Sequence, residues 1–169
     1  MTRKTGFLDF RLFQRVVDEI TGFSEPVRSK EIELFHFGES LLHPEVDKMA
    51  GYATQRGLKV VLSVNAPVLS ADLSERILRN NPFMIILSLD GSDQESYKKI
   101  RGPAADFAKA CRNIEFLVRL HERLGSETKL VARMIELNEN RGYRAQFKGT
   151  LQNSLPSSLT AGKLGPVQR

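Results

Sequence analysis

Three apolar runs beginning near Ile32, Lys59 and Phe83 recur about 25 residues apart, the length of one strand-plus-helix unit. Each run ends abruptly in small polar groups. The first, Ile32 to Phe37, stops at Gly38-Glu39; the second, Lys59 to Leu62, at Ser63-Val64-Asn65; the third, Phe83 to Leu87, at Ser88-Leu89-Asp90-Gly91. A fourth run, Leu130 to Leu137, carries Arg133 and Glu136 and leads into Asn138-Glu139-Asn140. Continuous apolar runs of this length are strands covered on both faces, as in parallel sheets.

The segments between them read as helices. Asp9 caps a first helix with Phe10, Phe13, Val17 and Ile20 on one face, closed by Gly22. Residues 24–30 read as a turn. His43-Pro44 places proline where a second helix begins; Val46, Met49, Ala50 and Ala53 form its stripe, and Gly57 stops it. Ser70 caps a third that buries Leu73, Ile77 and Leu78. Ser92 and Glu95 have the spacing of a capping box for a short helix through Tyr97 and Ile100. A long helix over 105–124 lines up Phe107, Cys111, Ile114, Val118 and His121. Beyond Arg141 the periodicity fails, and residues 146–169 read as a poorly ordered tail after a domain spanning 1–145. The expectation is an α/β fold with a parallel sheet and right-handed crossovers, either barrel-like or open and doubly wound. No Gly-x-Gly-x-x-Gly follows the first strand, which disfavours a dinucleotide fold.

Composition narrows the function. At 169 residues with 41% hydrophobic content, the chain has the length for one domain with a real core. The net charge of +5 is spread among alternating acidic and basic residues, so no nucleic-acid partner is expected. No run approaches the ~18 apolar residues of a membrane span, and no membrane partner is expected. The single cysteine, Cys111, fits a reducing, cytoplasmic setting and reads as a core residue. No His/Cys/Asp spacing forms a zinc site. His36, inside an apolar strand, reads as packed; His43 reads as a helix-start cap; His121 stands near a helix C-terminus, where it favours the dipole.

Ligands of parallel α/β proteins lie beyond the carboxyl ends of the strands. Gly38, Glu39, Ser63, Asn65, Ser88 and Asp90, together with Arg133 and Glu136 of the fourth run, would therefore open toward one rim, with Arg101 supplying a cation. Carboxylates there can bind an ammonium or a ribose hydroxyl pair, and the cation a carboxylate. The competing reading is that such residues are ordinary turn formers, Asp90-Gly91 above all.

These residues resemble the radical S-adenosylmethionine (radical SAM) superfamily, in particular its SPASM-type peptide-modifying branch. Phe37-Gly38-Glu39-Ser40 is similar to its Gly-Gly-Glu-Pro motif, continued by Leu41-Leu42-His43-Pro44. Ser63-Val64-Asn65-Ala66 is similar to Ser-Thr-Asn-Ala on the next strand. Ser88-Leu89-Asp90-Gly91, Tyr97 and Ile100-Arg101-Gly102 resemble the segment around the ribose-side strand, and Met134 and Glu136 fall where a further strand would lie. The resemblance runs from about Gly6 to Asn140. It implies a partial (β/α)6 TIM-like barrel with the first and last strands missing. It implies S-adenosylmethionine (SAM) as cofactor, with Gly38 and Glu39 at the methionine amino group, Ser88 by the ribose, Arg101 by the methionine carboxylate, and Ser63, Asn65 and Asp90 along the same rim. It implies, in full-length relatives, a [4Fe–4S] cluster that reduces SAM to a 5′-deoxyadenosyl radical acting on a peptide, protein or small molecule.

The sequence departs from that pattern. The Cys-x-x-x-Cys-x-x-Cys that holds the cluster is absent, and Arg3 to Asp9 is similar to the segment immediately after that loop. Cys111 cannot stand in for three converging thiolates, so no metal ligand is assigned and the chain alone is expected to be inactive. Two parallel edges would be exposed, a drive to self-association. Two alternatives stay open: a non-catalytic module binding a peptide, nucleotide or protein, and an unrelated barrel segment binding phosphate or sugar.

Overall fold

The computed structural model describes residues 6–24, 30–36, 38–135 and the backbone of 160–163. Five strands and five helices succeed one another: α1 (Phe10–Gly22), β1 (Glu31–Glu33), α2 (Val46–Gln55), β2 (Lys59–Asn65), α3 (Ala71–Arg79), β3 (Met84–Ser88), α4 (Gln94–Arg101), α5 (Phe107–Leu124), β4 (Lys129–Met134) and β5 (Thr160–Lys163). All neighbours pair in parallel, in the order β1-β2-β3-β4-β5.

That order decides between the two expected architectures. A doubly wound sheet reverses its strand order to put helices on both faces. Strictly sequential parallel strands with crossovers of one hand put every helix on the same face. The packing agrees. Val60, Leu62 and Val64 of β2, Ile85 and Leu87 of β3, and Leu130, Ala132 and Met134 of β4 share one core with Phe13, Val17, Met49, Ile77, Ile114 and Val118 of the helices. The alternate residues Val61 and Ile86 are also buried but lie outside that core. The sheet therefore has a helix-covered outer face and a separate inner face, the arrangement of a barrel segment.

Local signals set most boundaries. Asp9 accepts from Leu12 N at 3.0 Å and opens α1; Ser70 does the same for α3 through Leu73 N at 3.2 Å. Gly125, at φ 60, ends α5. Several expectations are corrected. The capping box of α4 is Asp93 with Ser96, not Ser92 with Glu95: each side chain accepts from the other's backbone N–H. Pro44 is not the first residue of α2. A 3-10 turn over Ser40–Leu42 comes first, and α2 starts two residues after Pro44 with Glu45 at its N-cap. His43 stands ahead of the helix, its Nδ1 accepting from the N–H of the N-cap residue Glu45 at 3.1 Å. β1 is three residues long instead of six, although Leu34 N still reaches Val61 O at 2.9 Å; Ser40 Oγ then donates to Leu34 O and folds the chain away. His36, just past that strand, is exposed rather than packed. Cys111 is only partly buried, packed at the margin of the core.

The fifth strand, Thr160–Lys163, falls where the sequence shows no strand signal. It pairs with β4 from Val131↔Thr160 to Met134↔Lys163. An unpaired ladder edge recruits backbone whatever its apolar pattern, so tertiary context overrides weak propensity here. Residues 25–29 of the expected 24–30 turn, Phe37, Glu136 and the rest of the 146–169 tail lie outside the described residues.

Candidate functional site

Strand side chains alternate, and parallel register carries the alternation across the sheet. Because Val60, Leu62 and Val64 face the helices, Val61, Ser63 and Asn65 face inward. Register then makes rows. Ser63 stands beside Ile86 and Val131; one step toward the carboxyl ends, Asn65 stands beside Ser88 and Arg133. The inner face is thus apolar at its middle and polar at its carboxyl rim. Ser63 sits one row deeper than the other predicted residues, between apolar neighbours. Asn65 and Ser88 are cross-strand neighbours at the rim.

Glu39 joins this row from the loop after β1. Its Oε2 accepts from Asn65 N at 2.9 Å and its Oε1 from Leu41 N at 3.1 Å. Two backbone donors fix the carboxylate, and each oxygen keeps lone-pair capacity for a further donor. Burial pushes the Glu39 carboxyl above its ordinary 4.5, against the opposing pull of those N–H groups and of Arg101. Gly38 precedes it at φ 115, a backbone state that side chains rarely adopt, with nothing within 4 Å of where a Cβ would stand. The backbone there is open to close approach.

Asp90 continues the inner face two residues beyond Ser88, with its side chain only 3% exposed. Its Oδ2 accepts from Arg101 Nη2 at 2.6 Å and its Oδ1 from Ile135 N at 3.0 Å. It ties the last turn of α4 to the end of β4 and uses both oxygens in doing so. Gly91 permits this: a Cβ there would meet Tyr97 N at 2.6 Å and Tyr97 Cα at 2.7 Å. Arg101, 29% exposed, reaches Asp90 with one nitrogen and lies close enough to Glu39 to lower its carboxyl.

The structure therefore connects Gly38, Glu39, Asn65, Ser88, Asp90 and Arg101 along one rim and leaves Ser63 a row below. Two polar atoms there are buried without a hydrogen-bond partner, Asn65 Oδ1 and Arg133 Nε. Arg133, expected from the fourth run to open toward the rim, stands there beside Ser88. Among the described residues, no group of three or more His, Cys, Asp or Glu is placed to hold a metal ion, and no helix is long and apolar enough to cross a membrane.

No family model matches the chain. Relatives are found by sequence. An AdoMet-dependent heme synthase of Methanosarcina barkeri is 32% identical over 102 residues, covering 59% of this chain and 29% of that protein. An Fe-coproporphyrin III synthase of the same organism is 26% identical over 99 residues, covering 59% and 23%. The chain thus spans less than a third of these curated relatives. Among solved structures, TYW1 with a lysine-pyruvate adduct bound superposes with a TM-score of 0.58 at 17% identity, over 94% of this chain and 53% of that one; that likeness speaks to fold alone. The relatives that align with this chain are radical SAM enzymes, and its ordered strand-end motifs and singly wound parallel sheet are similar to those of that superfamily.

Proposed function

We propose that this chain is the SAM-recognising part of a radical SAM core whose complete form modifies a small molecule or a peptide. The observation that carries this is Glu39. A partly buried carboxylate held by two backbone N–H groups beside an open Gly38 is preorganised for a ligand ammonium. Asn65 Oδ1, a buried acceptor without a donor, suits a ribose hydroxyl or an amino group, and Ser88 beside it offers both donor and acceptor. Arg101 keeps guanidinium N–H groups beyond its contact with Asp90 for the methionine carboxylate. The names of the two relatives above, a heme synthase and an Fe-coproporphyrin III synthase, support the small-molecule reading.

A [4Fe–4S] cluster does not fit the residues present. The sequence holds one cysteine, Cys111, on α5, and cluster ligation needs several converging thiolates. We therefore assign this chain ligand binding and not SAM cleavage. The same observation favours one second reading, a binding module that keeps the fold without the radical chemistry.

Calorimetric titration with SAM tests the pocket. Saturable binding that weakens at least tenfold in Glu39→Ala and Arg101→Ala supports it, and absence of binding refutes it. Anaerobic reconstitution of the chain is expected to give no iron absorbance and no 5′-deoxyadenosine with SAM and dithionite; detecting that product refutes the assignment of binding alone.

A further inference from the structure

Among the described residues two arginines stand at the rim, and their circumstances differ. Arg101 is neutralised by Asp90 at 2.6 Å. Arg133, beside Ser88 on β4, has its Nε buried without a partner, and no carboxylate among the described residues pairs with it. A buried guanidinium nitrogen left unsatisfied is costly unless a ligand completes it.

We propose that Arg133 is the anchor of a second subsite on the inner face, one that takes a carboxylate of the substrate molecule. This rests on the reading of Glu39 as the SAM ammonium site. Ammonium and carboxylate share one carbon in an amino acid, so a methionine held at Glu39 presents its carboxylate nearby. Glu39 is bonded to Asn65 on β2, and Arg133 lies two strands farther on, about 10 Å at ordinary strand spacing. The cation whose field reaches Glu39 is Arg101. Charge makes the acid a carboxylate and not a phosphate. Among the described residues of the rim, Glu39 and Asp90 offset Arg101 and Arg133 charge for charge. SAM brings a net single positive charge, which one carboxylate neutralises and a phosphate dianion exceeds. The planar fork of Nε and one Nη also matches the two oxygens of a carboxylate.

The test tracks the Nε–H resonance of Arg133 by NMR in the full chain, assigned by its loss in Arg133→Lys. Succinate serves as the probe, with succinamide as its uncharged counterpart. The expected result is a saturable shift with succinate, little with succinamide, and weaker binding of inorganic phosphate than of succinate. In Arg133→Gln, with unchanged far-UV circular dichroism, succinate affinity should fall roughly tenfold or more, as loss of a charge-assisted bond requires. SAM affinity of Arg133→Lys and Arg133→Gln should stay within about twofold of wild type. No succinate shift, equal response to succinamide, tighter phosphate binding, or a matching loss of SAM affinity in both variants would each overturn the subsite. If wild type binds succinate at Arg133 but does not bind SAM, the SAM reading fails and the carboxylate site stands by itself.

Discussion

The bond between Asp90 and Arg101 offers the sharpest quantitative test, because its two partners are unequally buried. Asp90 is 3% exposed and Arg101 29%. Removing the arginine strands a carboxylate that water cannot reach. Removing the carboxylate strands a guanidinium that can turn partly into solvent. Leaving a buried charge uncompensated costs about 3–5 kcal/mol, so Arg101→Gln is expected to cost about 4 kcal/mol. Asp90→Asn should cost less, about 2 kcal/mol, since Arg101 can rehydrate and the new amide oxygen still accepts from Ile135 N. In the double variant the stranded charge is gone. Its cost should be about 2–3 kcal/mol, so that adding Asp90→Asn to Arg101→Gln restores stability. Urea unfolding monitored by circular dichroism reads this directly: with a slope near 2 kcal/mol/M, Arg101→Gln lowers the midpoint by roughly 2 M. Equal single costs, or a double variant as unstable as the sum of the singles, would show that Asp90 is not the desolvated anchor the geometry makes it.

Other outcomes arise from the same geometry. Gly91→Ala drives a Cβ against Tyr97 backbone, which cannot rotate aside, and should cost about 2–3 kcal/mol by urea midpoint. Burial raises the Glu39 carboxyl above 4.5, so the native chain holds that proton more tightly than the unfolded chain does. Its contribution to stability is therefore lost as pH rises from 4.5 through the raised value. SAM binding has the opposite sense, since an ammonium needs the ionised carboxylate: affinity measured by calorimetry should fall as pH drops through that value, and Glu39→Gln should flatten the profile. Burial likewise raises the Cys111 thiol above 9.0, so a disulfide reagent should label it more slowly than free cysteine at neutral pH and faster only in alkaline buffer.

The architecture was legible because its signals are local or periodic. Apolar runs at a fixed interval, with Asp9, Ser70 and Gly125 at helix ends, need no knowledge of distant contacts. Capping errors arose where two residues compete for one task. Ser92 and Asp93 can both cap a helix, and the choice fell to Asp93 because its carboxylate reaches Ser96 N at 2.8 Å while Ser96 Oγ accepts from Asp93 N at 3.2 Å. β5 was illegible for another reason. Its place is set by the free edge of β4, a property of a different segment.

The rim divides along the same line. Asn65 and Ser88 end strands and Glu39 follows an apolar run in the loop after β1, positions that can be found by eye. What each then does depends on register, which no single run contains. Asp90 looks in sequence like a ligand or a turn former, yet its oxygens are consumed by Arg101 and Ile135 N. Arg133 reads in sequence as a strand-end residue like the others, yet only register shows it beside Ser88 with a buried nitrogen unmet. In a singly wound sheet every inward row is shared by consecutive strands, so a polar residue at one tip acquires its function from tips encoded far from it, as Ser88 does from Asn65 and Arg133. The charge that matters for an incoming acid is then the one the fold leaves uncancelled, and that is decided by Asp90 choosing Arg101.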